Sequence, residues 1–449
     1  MVVDGWLARA ATSRPDRTAI ETPSGSWSYA ELNKAARSGA ATLARRGVGP
    51  GAHIGIALPS GLPFVQALHG SLLLGAVAVP IDLRLAEEER AQIEARCDTV
   101  VRDSLGKWSS AELPGSAGTA HDLNNLALII HTSGTTSAPR PIELTYGNLL
   151  WSALGSAVAL GSDPEERWLC TLPLSHVGGL SILIRSTIYA TTALLHERFE
   201  TDRALHSLQQ EGVTLVSLVA TTLSRLLDAG LSHPPALRCA LTGGGPVPPA
   251  LIARARAAGI PVSLTYGLTE TCSQATTTPL AEALSAEGDG GEATAGPPLF
   301  CTHLQIAPDG EILVKGPTVA PLAADSDGWL HTGDLGSLDE RGRLRVTGRK
   351  ADTIVSGGEN VAPAEVEAVL EAHPLVLEAA VIGRSDPEWG EAVVAILVPR
   401  NGVQLDVVEL REHCARTLAP FKVPKDFTLT AEPLPRTRSG KLLRRELRP

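Results

Sequence analysis

The chain has 449 residues, 43% hydrophobic and 20% charged, which is the texture of an ordinary globular protein too long for a single core. A formal net charge of -10 argues against a general nucleic-acid binder. Six scattered cysteines without a Cys-x-x-Cys pair, and twelve unclustered histidines, argue against a disulfide framework or a zinc site and suit a reducing cytoplasm.

The opening Met1-Val-Val-Asp-Gly-Trp6 lacks a basic region and an apolar stretch, so no signal peptide is expected. The longest apolar region, Phe64 to Val79, is short and holds Gln66 and His69, which predicts a core helix running into a strand rather than a membrane span. The strand-like run Leu126-Ala-Leu-Ile-Ile130 then ends in His131-Thr132-Ser133-Gly134-Thr135-Thr136-Ser137-Ala138-Pro139-Arg140. Such a loop can turn hydroxyls and backbone N–H groups toward an anion with little steric hindrance. The commoner phosphate loop, Gly-x-x-x-x-Gly-Lys-Ser/Thr, occurs nowhere in the chain.

Further on, Leu172-Pro-Leu-Ser-His176-Val-Gly-Gly179 places a histidine in a glycine-flanked turn after a strand. Arg185 lies in the otherwise apolar run Leu180 to Tyr189, where an unpaired charge is costly, so it needs an anionic partner. An internal salt bridge and a bound anion are equally good candidates for that partner. The following spacing predicts a strand over Val213–Val219, a helix over Thr222–Ala229, a strand over Leu237–Leu241, a helix over Pro249–Ala258 and a strand over Val262–Thr265. This alternation predicts an α/β fold with stacked, largely parallel sheets. Thr242-Gly243-Gly244-Gly245-Pro246 and Tyr266-Gly267-Leu268-Thr269-Glu270 follow two of those strands, where ligands bind in such folds.

After about Gly296 the pattern changes. His303–Ile306 and Ile312–Lys315 flank Pro308-Asp-Gly310, a hairpin signal, and Asp339-Glu-Arg-Gly342 marks a second hairpin. Trp329-Leu-His-Thr-Gly-Asp334 lies between them. A domain boundary is expected near Lys350, giving domains 1–349 and 350–449, the second reading as a fresh βαβ-like pattern. The stretch Arg436 to Arg448 carries six basic residues and one Glu.

Singly, each of these segments has a plain structural reading as a turn, a cap or a solvated end. Together and in this order, from Tyr29-Ala-Glu-Leu32 to Lys441, they resemble the adenylate-forming superfamily of acyl-CoA ligases, peptide-synthetase adenylation domains and luciferases. The resemblance implies a large N-terminal domain with stacked α/β sheets and a small barrel-like region, plus a small mobile α+β C-terminal domain. It implies ATP and Mg²⁺ as cofactors and a small-molecule carboxylate and CoA as partners, without nucleic acid or a membrane span, and it leaves room for a homodimer. Thr132, Ser133, Gly134, Thr135, Thr136 and Arg140 would wrap the phosphates, with Thr135 and Glu270 toward Mg²⁺ and Thr269 toward the α-phosphate. Gly243, Gly244, Gly245, Pro246, Tyr266 and Gly267 would form the adenine slot. Asp334 would take the ribose hydroxyls with Arg349 nearby, and Lys441 would bridge the carboxylate and α-phosphate. Lys350 and Ala351 would be the hinge on which the small domain swings. After the swing, Gly357, Gly358, Glu359 and Asn360 would line the CoA thiol tunnel; a plain turn is the competing reading for the glycines.

Within the superfamily, Leu172–Tyr189 and Tyr266–Gln274 resemble the o-succinylbenzoate–CoA ligase branch of menaquinone synthesis. This implies His176 as gate of an acyl pocket that also holds Arg185, Ser273 and Gln274, with Arg185 facing the second carboxylate of a dicarboxylate substrate. The chain departs from the superfamily at Ser137-Ala-Pro-Arg140-Pro141, where Gly-x-Pro-Lys-Gly is usual. Arg140 keeps the charge but changes its geometry, and Pro141 removes a backbone donor. Three alternatives therefore stay open: another aryl or fatty carboxylate, a carrier-protein acceptor, or, in a different class, a nucleotide-binding protein of weakened catalysis.

Overall fold

The structure, a computed structural model, describes residues 1–106, 118, 120–132, 139–283, 294–400, 403, 405–436 and 442–447. A five-stranded sheet runs in the order Thr99–Val101, His53–Ile56, Val77–Pro80, Leu126–Thr132, Arg140–Thr145. Its first four strands are parallel and the last is antiparallel. An eight-stranded sheet has the order Thr276–Thr277, Val262–Tyr266, Cys239–Thr242, Leu215–Leu218, Arg167–Cys170, Thr192–Leu195, Thr18–Thr22, Gly25–Ser28. Its interior strands are parallel, with antiparallel pairs only at the two edges. Strands such as Val77–Pro80 and Leu215–Leu218 are buried along their whole length. That is why they read as short apolar runs rather than as alternation.

Helices Tyr29–Arg45, Leu62–Leu73, Tyr146–Leu160 and Val177–Tyr189 contribute to the largest core cluster. The first starts at a capping box in which Ser28 and Glu31 each satisfy the other's backbone N–H. It then buries Leu32 and Leu43 completely, each contributing roughly 2 kcal/mol of burial. Its Tyr29 hydroxyl sits 2.7 Å from both the Ser186 and Thr191 carbonyls, fixing the C-terminal end of the Val177–Tyr189 helix. The N-terminal end of that helix presses so closely on Leu172-Pro173 that a Cβ at Gly179 would lie 2.5 Å from the Pro173 carbonyl. Phe64 to Val79 is the expected core helix and strand. The helix read over Thr222–Ala229 spans Ala220–Asp228, and the strand read over Val213–Val219 shortens to Leu215–Leu218.

The hairpin signals form an antiparallel four-stranded sheet of His303–Ile306, Glu311–Lys315, Leu330–Leu338 and Leu344–Arg349. A 3₁₀ turn, Lys350–Asp352, leads from it into the C-terminal sheet. That sheet corrects the βαβ-like reading. Val376–Asp386 and Gly390–Pro399 pair antiparallel, and Asp426–Leu429 alone is parallel to its neighbour. The connection 387–389 is too short for a crossover helix, so the two long strands can only form a hairpin. Helices Pro363–Glu371 and Val407–Ala415 share that sheet's core, giving the α+β character expected for this part of the chain. Among the described residues no helix is long and apolar enough to cross a membrane.

Candidate active site

The carboxyl ends of the parallel strands in both large sheets open onto one cavity of about 2420 Å³. From the five-stranded sheet come Leu58–Ser60, Ile81–Arg84 and Thr132. From the eight-stranded sheet come Thr171–Gly179, Leu218–Val219, Gly243–Gly244 and Gly267–Glu270. Strand order turns the loops of successive strands toward a shared crevice, where ligands of such folds sit. Arg349–Asp352, Arg436 and Leu442–Arg445 close the cavity from the C-terminal side.

Gly243 and Gly267 line one wall of the cavity, whereas Tyr266 and Asp334, expected there, are not among its lining residues. A Cβ on Gly243 would lie 2.6 Å from the Thr265 carbonyl, and one on Gly267 only 1.5 Å from the Ser273 carbonyl. Neither position tolerates a side chain, because the backbone after Val262–Tyr266 folds straight back on itself. Cys272 and Ser273 complete that turn at φ 52° and 99°, conformations that cost energy for residues other than glycine. The Tyr266 hydroxyl donates to Asp334 at 2.8 Å, and Arg349 Nε meets the other oxygen of Asp334 at 2.7 Å. Burial, and then the Asp334 carboxylate, push the Tyr266 phenol far above its ordinary range, so it stays a donor. The Asp334 carboxylate is thus held by the Tyr266 and Arg349 side chains. Thr269 and Glu270 open the 3₁₀ turn Thr269–Thr271 and face the cavity.

Another part of the cavity holds the residues expected at an acyl pocket. His176 caps the Val177–Tyr189 helix, with Nε2 3.2 Å from Arg84 and 3.6 Å from Asp82. Burial opposes the Asp82 charge, but the hydrogen bonds and charge of Arg84 outweigh it and lower its pKa to about 2. Desolvation lowers the His176 pKa and, with the Arg84 charge, exceeds the opposing pull of Asp82. Asp82 and Arg84 escaped the sequence reading. Their short Asp-x-Arg pattern resembles any turn until His176, 92 residues away, is brought beside it.

Arg185 is 2% exposed and lines the same cavity. It donates to Ser152 Oγ at 2.9 Å and lies 5.8 Å from the Trp168 ring centroid. Its Nε has no acceptor, and no carboxylate among the described residues pairs with it. Among the described residues the internal salt bridge is therefore absent. Gln274 Nε2 donates to Thr277 at 2.7 Å, while its buried Oε1 and the Thr171 hydroxyl lack partners. Both of these residues, and Ser273, line the cavity.

Of the remaining expected residues, Thr132 and Arg140 line the cavity and face each other across the antiparallel pair. Ser133, Gly134, Thr135, Thr136 and Lys441 lie outside the described residues. Gly245 and Pro246 do not line the cavity, nor do Gly357, Gly358, Glu359 and Asn360. Gly357 and Gly358 turn the hairpin between Ile354–Ser356 and Glu359–Val361 at φ 61° and 84°. A two-residue hairpin turn with two positive φ values accounts for both glycines. Lys350 and Ala351 stand at the cavity rim, in the turn joining the two sheets.

A family model described as "AMP-binding enzyme" matches residues 7–322, and one described as "AMP-binding enzyme C-terminal domain" matches residues 365–441. The chain is 39% identical to a 2-succinylbenzoate–CoA ligase of Bacillus cereus, with 99% of this chain and 97% of the relative covered. It superposes with a TM-score of 0.90 at 36% identity on o-succinylbenzoate CoA synthetase of Bacillus subtilis, solved with the acyl-adenylate intermediate OSB-AMP; all of this chain and 98% of that one are covered. The same Bacillus subtilis enzyme solved with ATP and magnesium gives 0.89 at 36% identity, covering all of both chains.

Proposed function

The chain belongs to the AMP-binding enzyme family, an AMP-forming acid–thiol ligase by that membership, and we propose that it joins o-succinylbenzoate to coenzyme A in menaquinone synthesis. The carboxylate attacks the α-phosphate of ATP and releases pyrophosphate. The CoA thiol then displaces AMP from the acyl-adenylate. Two anions meet in the first step, so the site must screen charge as it gathers on the α-phosphate.

Asp334 accepts the ribose hydroxyls while Tyr266 and Arg349 hold its carboxylate in place. The side-chain-free edges of Gly243 and Gly267 let the adenine lie against backbone. Thr269 donates to the α-phosphate. Glu270 offers the single hard carboxylate that Mg²⁺ needs when phosphate oxygens and water complete its shell. Bound there, Mg²⁺ neutralises phosphate charge. Lys441 bridges the attacking carboxylate and the α-phosphate. That role is supported by Arg436 and Leu442, which flank the 437–441 segment and both line the cavity. The hinge reading of Lys350-Ala351 is supported by their place between the four-stranded sheet and the C-terminal one. The CoA roles of Gly357, Gly358, Glu359 and Asn360 require the small domain to swing, since in this arrangement they stand away from the cavity. A cytoplasmic homodimer is the assembly we infer for an enzyme of this kind.

The observation that carries the choice of acid is Arg185, a buried cation that no carboxylate among the described residues neutralises. Leaving such a charge unpaired costs several kcal/mol, and the second carboxylate of a dicarboxylate substrate removes that cost. The test is pyrophosphate release with Mg-ATP over a panel of acids, with and without CoA. Release driven best by o-succinylbenzoate, with a CoA thioester identified by mass, supports the proposal. Release driven best by a monocarboxylate would discard the substrate and keep the chemistry. ATP binding without release for any acid would point to the weakened nucleotide binder.

A further inference from the structure

Asp334 is presented by a strand that is not regular. The register of Leu330–Leu338 slips against both neighbours, between Glu311 and Leu313 on one side and between Leu335 and Gly336 on the other. Gly333 takes a left-handed φ of 68°, so its N–H leaves the ladder. A buried amide turned out of a ladder must find another acceptor. It finds Glu311, whose Oε1 accepts from Gly333 N at 2.9 Å. The Asp334 N–H is taken by Thr332 Oγ1 at 3.1 Å, and the Thr332 hydroxyl donates to the Ile312 carbonyl at 2.7 Å. The kink before Asp334 is therefore bonded to the Glu311–Lys315 strand through both Gly333 and Thr332.

The second oxygen of Glu311 points the other way. Oε2 meets Lys350 Nζ at 3.1 Å, and Lys350 also reaches Asp309 at 2.6 Å. His331 Nδ1 lies 3.6 Å from the same Oε2. The Glu311 side chain is only 10% exposed, whereas those of Lys350 and Asp309 are half-exposed. Of the lysine's two ion pairs, the one to Glu311 is thus the less screened.

We propose that Glu311 is a positioning residue that ties the nucleotide-holding kink to the hinge: one carboxylate oxygen fixes the turn before Asp334, and the other fixes Lys350 while the C-terminal domain faces the cavity. The proposal rests on the ribose and hinge readings given above for Asp334 and Lys350. Its consequence is directional. The Lys350 contact exists in an arrangement where Arg436 and Leu442–Arg445 line the nucleotide cavity, so it favours adenylate formation. A swing of the small domain about residues 350–351 strains or breaks it. Losing it slows the first half-reaction and spares or hastens the second.

The full-length enzyme carrying Glu311→Gln, Lys350→Met, both, or Glu311→Ala tests this. Adenylation is followed by pyrophosphate release with o-succinylbenzoate, and thioester formation by CoA consumption from preformed acyl-adenylate. Glu311→Gln keeps the acceptor for Gly333 and loses the ion pair. Its KM for ATP should stay within about twofold of wild type while its adenylation rate falls about fivefold. Thioester formation should hold or rise. Lys350→Met should give the same split, and the double variant should match Lys350→Met alone, because both remove one contact. Glu311→Ala should also raise KM for ATP, since the part-buried Gly333 amide then loses the acceptor that fixes the turn before Asp334. Equal losses in both half-reactions for Glu311→Gln, or additive losses in the double variant, would overturn the proposal. If the Glu311 variants fail to fold, Lys350→Met decides alone: its residue is half-exposed, and an unsplit loss there also overturns the link. Failure of the wild type to release pyrophosphate with any acid would instead refute the activity on which the proposal rests.

Discussion

Arg185→Met removes the charge but nearly keeps the volume, and its effect should depend on the acid offered. In the wild type the guanidinium is buried, bonded to Ser152, laid against Trp168 and missing a partner at Nε. If a substrate carboxylate completes it, deleting the cation leaves that carboxylate buried and unpaired. Truncating one member of a buried charge pair costs about 2–5 kcal/mol. A loss near 3 kcal/mol is on the order of a hundredfold in kcat/KM for o-succinylbenzoate. A monocarboxylate such as benzoate has no second charge to lose, so its kcat/KM should change by less than about threefold. The residual change is set by Ser152, which keeps its own bond to the Cys272 carbonyl at 2.6 Å. The free protein should be no less stable than wild type, because replacing a buried unpaired cation with an apolar side chain relieves desolvation. The assay is the ratio of kcat/KM values for the two acids, alongside thermal melting. An unchanged ratio, with both acids falling together, would show that Arg185 holds the Val177–Tyr189 helix and does not read the substrate.

Asp334→Asn weakens both the Arg349 ion pair and the acceptor offered to ribose, so KM for ATP should rise about tenfold; comparing ATP with 2′-deoxy-ATP checks this, because the variant should discriminate between them less than the wild type does. Lys441→Ala should abolish adenylate formation yet leave thioester formation from preformed acyl-adenylate largely intact, measured as two separate half-reactions. Glu371 tests linkage: burial, and then the neighbouring Glu367 carboxylate, raise its pKa to about 7. A carboxyl whose folded pKa is raised binds its proton more tightly in the folded state, so its contribution is most favourable below the unfolded value near 4.5 and is lost as pH rises toward 7. Glu371→Gln should therefore stabilise the protein by about 1 kcal/mol at pH 8, after allowing for partial exposure, and by nothing at pH 4. Chemical denaturation at the two pH values reads the difference, and equal effects at both would refute the assignment.

The α/β alternation from residue 213 to 266 and the hairpins after Gly296 were legible because each rests on local spacing and turn chemistry. The C-terminal sheet was not read correctly, because the polar ends of Val376–Asp386 and Gly390–Pro399 hide how short the connection between them is, and that shortness allows only a hairpin. The site loops were legible as an ordered set: His176, Gly243, Gly267, Thr269 and Glu270 all follow strands, and Asp334 lies within one. Gly357 and Gly358, read both as room for a ligand and as a plain turn, stand in a two-residue hairpin turn.

The sequence by itself determined the element types, the order of the glycine-bearing loops and the family, because these depend on residues near one another along the chain. The tertiary structure alone decided which long-range partners each charged group has. It placed Asp82 and Arg84 beside His176, left Arg185 without a carboxylate among the described residues, and divided the two oxygens of Glu311 between Gly333 and Lys350. The reason is physical: the free energy of a buried charge is set by what surrounds it within a few ångströms, and those neighbours come from strands and helices far apart in the chain.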